Sequence, residues 1–370
     1  MYRRPIYEDV RRSRRLLPSL AVAGLLAAAP AGAPAAGTAH LLPLQPPRAG
    51  ALPVRPFAGT VRDRVLSDGG RRSGTPRARA ARASSASSYR TRDGYAIRVT
   101  VSRAYELDRP AVQGFVDFLG SRLHGSELGR LSVAIATPKE VGHDCGASDA
   151  LACYDPARER MIVPGQDPGP GQPPLAYVIT HEYGHHIAFN RRNAPWSAAA
   201  WGPKRWDSLE RVCPGVRAHR FYPGDEGDHY YQDPGEAWAE SYASYHYRSN
   251  PWRWTPLLRP GPAAFGAVRR DVLDPWRGPL RAARSLSFAP GRAGVRWWSL
   301  APTLDGSAIV RLHPARGEQI ETRVFVGRRL ALRSASRSVP ITICGARSLR
   351  LAFVRRRGHG PVRVSVAYPG

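Results

Sequence analysis

The chain has 370 residues, room for two domains with extensions, and a formal net charge of +26. Lys139 and Lys204 are the only lysines, so almost all of the positive charge is arginine. No zinc-knuckle spacing and no aromatic–basic RNA-binding motif accompanies it. This disfavours nucleic acid as a partner and leaves attraction to an anionic cell-wall polymer as a general field effect.

The first element, residues 1–39, reads as an export signal. Arg11, Arg12, Arg14 and Arg15 precede the apolar run Leu16–Ala29, and the small-residue stretch Ala33–Ala39 follows. A basic head, a short apolar core and A-x-A-like sites suit export by the Sec route. Ser13-Arg14-Arg15-Leu16-Leu17 also suits the twin-arginine route. An uncleaved anchor is the alternative, but the run is broken by Pro18 and Pro30 and is short for a span. Nothing later is long and apolar enough to cross a bilayer, so a secreted or cell-surface monomer is expected. Residues 40–92 are Pro, Arg, Ala, Ser and Gly with little periodicity and predict a disordered linker.

Order is expected from about Tyr95, where Ile97, Val99 and Val101 alternate with polar or small residues as in a strand. Asp108 with Pro110 opens a helix whose stripe is Val112, Phe115, Val116, Leu119 and Leu123. Leu131–Thr137 and Arg160–Val163 are candidate strands. Pro174–Phe189 predicts a second helix and Asp233–Tyr245 a third. After about Arg281 come seven short strand candidates, from Val295–Leu300 to Val362–Tyr368, which suit a β-sandwich. The assignment is an α+β domain over residues 93–280 followed by an all-β domain over 281–370.

Cys145, Cys153, Cys213 and Cys344 are even in number and lack CxxC spacing, which disfavours a cysteine zinc site. Three pairings are open, and so is a set of buried thiols. Cys145 with Cys153 closes a short loop, and Cys213 with Cys344 would then tie the two halves together.

The chemistry centres on His181-Glu182-Tyr183-Gly184-His185-His186 within the second predicted helix. Residues four apart on a helix share a face, so His181 and His185 can reach one ion. Glu182 emerges beside it, where it can take a proton from water. His186 is about 140° from His181 around the helix and should bond elsewhere, to backbone or an acid. Ala176, Ile179, Tyr183 and Ile187 form a stripe for the core, leaving the histidines to face a cleft. Gly184 costs about 1 kcal/mol against Ala in a helix interior and implies a close approach there. A catalytic zinc needs a third protein ligand. Ala188 and Arg191 occupy the positions where a metzincin has Gly and His, which excludes that class. Glu236 and Glu240 on the third helix are the candidates, although Glu236 would also serve a capping box with Asp233.

HEYGH followed by Gly235-Glu236-Ala237-Trp238-Ala239-Glu240 resembles the secreted bacterial gluzincin metallopeptidases, in particular their lethal-factor-like members. The resemblance spans roughly residues 95–250. It implies a zincin-type fold, Zn2+, peptide-bond hydrolysis of a protein or peptide substrate, and ligands His181, His185 and Glu236. It further implies Glu182 as general base, Glu240 as the carboxylate holding a ligand histidine, and Tyr230 or Tyr231 as oxyanion donor, with His229 competing. Gly235 and Glu240 depart from the Asn and Asp of the thermolysin-type pattern, which leaves the third ligand between Glu236 and Glu240. Alternatives are a zinc peptidase acting on peptidoglycan peptides and a catalytically silent cell-wall binding protein. Asp225-Glu226-Gly227-Asp228 lacks EF-hand spacing and reads as a solvated acidic loop. The C-terminal region, with Leu304-Asp305-Gly306 and Cys344–Leu349, resembles the β-sandwich appendages of secreted bacterial peptidases.

Overall fold

The computed structural model describes residues 39–44, 63, 65–66, 86–289 and 294–370. All but the last residue of the expected export signal therefore lies outside the described residues. Among the described residues no helix is long and apolar enough to cross a membrane.

The first part is mixed. Strands β1 (Ser87–Arg90), β2 (Ala96–Val101), β3 (Ser132–Ala136), β4 (Cys153–Asp155) and β5 (Arg160–Pro164) form one sheet in the order β1-β2-β3-β5-β4. β2, β3 and β5 run parallel, and β1 and β4 are antiparallel to their neighbours. Helices α1 (Arg109–Gly120), α2 (Pro138–Asp144), α3 (Leu175–Phe189), α4 (Ala198–Trp201), α5 (Lys204–Leu209), α6 (Val212–Arg217), α7 (Pro234–His246) and α8 (Pro262–Leu273) accompany it. α1 begins as its sequence requires: the Asp108 side chain accepts the Ala111 N–H, and Val112, Phe115, Val116 and Leu119 are buried. Their stripe joins Ile97, Val99, Val133 and Ile179 in a single core.

The expectation of a disordered stretch over 40–92 needs correction where residues are described. Leu41 and Leu44 lie in the main core, and Leu42 N–H donates to Gly165 O at 2.8 Å. Asp63 is 7% exposed, and β1 precedes the expected onset at Tyr95. Isolated apolar residues in an Arg/Pro background carry no periodicity, so nothing local marks these tertiary anchors.

Two helices carry the later argument. α3 lacks a polar outer face: every residue from Tyr177 to Ala188 is buried. It crosses α7 so closely that a Cβ on Gly184 would sit 2.9 Å from Ala239 Cα. The glycine expected to permit a close approach does so here, and Trp238 Nε1 donates to Gly184 O across the contact at 3.0 Å.

At the far end of α7, His246 Nε2 accepts the Leu123 N–H, and burial, with Arg122 nearby, pulls its pKa down to about 3. A base whose pKa falls on folding stabilises fully above its unfolded value and loses that contribution as pH drops. Between the ordinary 6.5 and about 3 the folded state is therefore progressively weakened. In His246→Gln, the unfolding free energy from urea titrations should fall less steeply below pH 6.5, by up to about 1.4 kcal/mol per pH unit.

From Leu280 onward every described element is a strand. Strands β6 (Leu280–Leu286), β7 (Val295–Leu300), β8 (Gly306–His313), β9 (Gln319–Val326), β10 (Arg329–Ser334), β11 (Ser338–Ile343), β12 (Leu349–Arg357) and β13 (Val362–Tyr368) form two antiparallel sheets. Their orders are β10-β9-β12-β7 and β11-β8-β13-β6. Alternate residues of both, such as Val310, Val324, Ile341, Leu351, Phe353 and Val364, share one core. The seven expected strands are present, and β6 adds an eighth.

Both disulfides form in the expected pairing, Cys145–Cys153 and Cys213–Cys344. Beside the second, Lys204 is fully buried. Its Nζ donates to Ala194 O and Asp305 O at 2.9 Å and lies about 5 Å from the Trp196 and Trp276 rings. Arg347 bonds Asp305 Oδ1 and Ser208 O, so the helical part and the sheets meet through a bonded polar seam.

Candidate metal centre

α3 and α7 each deliver one side of a buried cluster. His181 and His185 project from α3 and Glu236 from the first turn of α7. Asp63 arrives from a distant segment, and all four side chains are at most 7% exposed. One ligand atom from each lies within 4.8 Å of the others. Nε2 of His181 and of His185 are 3.3 Å apart. Asp63 Oδ2 is 3.2 Å from the first and 2.9 Å from the second, and Glu236 Oε2 is 3.4 and 3.5 Å from them. A tetrahedral shell with bonds of about 2.0–2.1 Å has edges of about 3.3–3.4 Å. These five edges bracket that length, so the donor set fits one small divalent ion.

Charge gives the same answer. Asp63, Glu182, Glu236 and Glu240 are buried around two imidazoles, and carboxylates brought this close need a cation. Burial, with Asp63 beside it, pushes the Glu182 carboxyl well above its usual range. Although burial also works to raise Asp63, the two histidines hold that carboxyl well below its ordinary value.

Glu240 separates cleanly from Glu236. Its Oε2 lies 3.1 Å from His181 Nδ1, and its Oε1 accepts the Tyr177 hydroxyl at 2.5 Å. A carboxylate only accepts, so Nδ1 carries the proton, which is the tautomer that would leave Nε2 free to give its lone pair to an ion held in the cluster. Trp254 stacks on the same imidazole, with centroids 5.8 Å apart. Glu236 does not form the capping box: Asp233 accepts the Gly235 N–H, while the Glu236 carboxylate faces the histidines.

No protein-family model matches this chain, and no curated protein matches it.

The other expected residues sort by position. Both oxygens of Glu182 are buried and have no hydrogen-bond partner among the described residues. The Tyr230 hydroxyl donates to Asp63 Oδ1 at 2.5 Å, whereas Tyr231 is 40% exposed and packs edge-on to Trp254. His229 pairs with Asp225 and stacks on Tyr222, away from the cluster. His186 bonds Tyr154 OH and Glu127 O, and burial pulls its pKa down to about 4. Arg191, standing where a metzincin has its third histidine, forms a buried ion pair with Glu127 at 2.9 Å. The acidic loop is only partly solvated, because Glu226 accepts the Val65 N–H and burial raises its pKa to about 8.

The histidine face was expected to open into a cleft. It is buried, because Asp63, Tyr230 and Trp254 cover it. Asp63 is the residue that sequence reasoning missed: one aspartate in an arginine-rich stretch, 122 positions before His185, matches no ligand spacing.

Proposed function

We propose that this is a zinc-dependent endopeptidase, exported from the cell, that hydrolyses peptide bonds in a protein or peptide substrate. The observation that carries the reading is the junction of HExxH with Glu236: two Nε2 atoms and one carboxylate oxygen at tetrahedral spacing, with Glu182 buried beside them. The two disulfides suit an extracellular compartment.

Three ligands from the chain plus one open position define a catalytic zinc site, and an ion held there supplies Lewis acidity that lowers the pKa of water towards about 7. The protein's own groups do the rest. Glu182, hydrogen-bonded to no other described side chain, takes the proton of the attacking water and returns it to the departing amine. Tyr230, whose hydroxyl burial keeps protonated, donates to the developing oxyanion. Glu240 fixes the tautomer and direction of His181. Tyr231 has no part in this scheme.

A catalytically silent metal-binding protein is the second reading, because Asp63 closes a fourth corner of the same cluster. The two are separated by metal analysis of the purified chain and of Glu236→Gln, with hydrolysis of a denatured protein mixture. Hydrolysis is measured in the wild type and in Asp63→Ala. One bound zinc that Glu236→Gln loses, with hydrolysis in either background, supports the peptidase. Zinc without cleavage of protein or peptidoglycan peptides selects the silent protein, and no zinc removes the reading.

A further inference from the structure

Asp63 does not come alone. Val65 bridges Tyr154 in parallel register, and Leu66 N–H donates to Tyr154 O at 2.9 Å. These residues thereby place one bridge on the outer side of the edge strand β4. Val65 N–H is fastened to Glu226 Oε1 at 2.9 Å. Val65 and Leu66 also line a cavity of about 250 Å³ whose other walls include Phe189, Ala199, Ala200 and Glu236.

An extended peptide adding to a free sheet edge is a general mode of peptide recognition, in which backbone bonds give affinity and pockets select side chains. β4 supplies such an edge, next to the metal ligands and to an apolar-walled cavity. The segment already lying on it belongs to the protein and carries a carboxylate into the metal cluster.

We propose that Asp63, Val65 and Leu66 form an internal blocking strand: Asp63 takes the fourth corner of the metal site, and Val65 with Leu66 fills the β4 edge that an extended peptide substrate uses. The chain is then latent as synthesised, and cleavage or displacement of the segment opens the site. Tyr230 serves both states, donating to Asp63 in the latent one and to the oxyanion in the open one. Once Val65 and Leu66 leave, the walls that stay, Phe189, Ala199 and Ala200 beside the Glu226, Asp233 and Glu236 carboxylates, face a side chain of the incoming peptide. This inference rests on the metal-site reading above.

The experiment loads full-length wild type, Asp63→Ala and Leu66→Pro with cobalt(II) and records visible spectra during titration with acetohydroxamate. Leu66→Pro removes the backbone donor to Tyr154 without touching a ligand, and it stands in if Asp63→Ala does not fold. Asp63→Ala should keep its cobalt, change its spectrum and bind hydroxamate on the order of tenfold more tightly or better, as removal of an internal competitor requires. Peptide hydrolysis should rise with it, and Leu66→Pro should move the same way by less. Unchanged spectra and hydroxamate affinity in both variants would overturn the proposal while leaving the metal site standing. Loss of cobalt from Asp63→Ala alone would make Asp63 a permanent structural ligand and would equally overturn it. Failure of all three chains to bind cobalt would remove the metal reading and the blocking strand together.

Discussion

Glu182→Gln, placed in the Asp63→Ala background, is expected to retain one equivalent of zinc and to lower peptide hydrolysis by on the order of 10²–10⁴. Gln preserves the volume of the side chain and keeps a polar tip, but it cannot accept and return a proton at neutral pH. Glu182 stands beside both histidines with neither carboxylate oxygen engaged by another described group, so no neighbouring side chain is placed to take over its proton transfer. It touches no ligand at hydrogen-bond distance among the described residues, which is why metal content should survive. Zinc analysis and steady-state hydrolysis on the same samples check both halves. Hydrolysis within a few-fold of the parent would show that the base lies elsewhere.

Removing the Cys213–Cys344 bond, by Cys213→Ser with Cys344→Ser, should cost more stability than removing the other disulfide. The bond joins residues separated by 131 positions. Chain entropy assigns about 5 kcal/mol to a loop of that length and about half as much to the 8-residue Cys145–Cys153 loop. The urea midpoint should therefore fall markedly further for the long-range pair than for Cys145→Ser with Cys153→Ser. Zinc content should be unchanged, since neither sulfur lies in the cluster. Equal shifts for the two pairs would mean that the polar seam of Lys204, Asp305 and Arg347 already holds the two parts together.

What was legible in the sequence was what local spacing encodes. His181 and His185 four apart, Asp108 before Pro110, and the alternation of Val362, Val364 and Val366 each announce their element without tertiary information. Glu236 was legible only as one of two acids. Choosing between it and Glu240 required the crossing of α3 and α7, which depends on Gly184 lying against Ala239. β6 was missed because Leu280-Arg-Ala-Ala-Arg-Ser-Leu contains no β-branched residue and its hydrogen bonds come entirely from β13. Helices α4 to α6 are only four to six residues long, too short for a periodic pattern to register. Asp63 was illegible for a different reason. Its role is set by contact with histidines more than a hundred positions away, and no property of its neighbours reports that.

The seam between helices and sheets has a chemical consequence. Of the two lysines in the chain, Lys139 is exposed and Lys204 is fully buried between indoles and carbonyl oxygens. An amine-selective reagent therefore meets one side-chain amine while the parts are joined, and a second only when they come apart. The scarcity of lysine in an arginine-rich chain makes Lys204 a natural reporter of that docking, readable by mass on the intact protein.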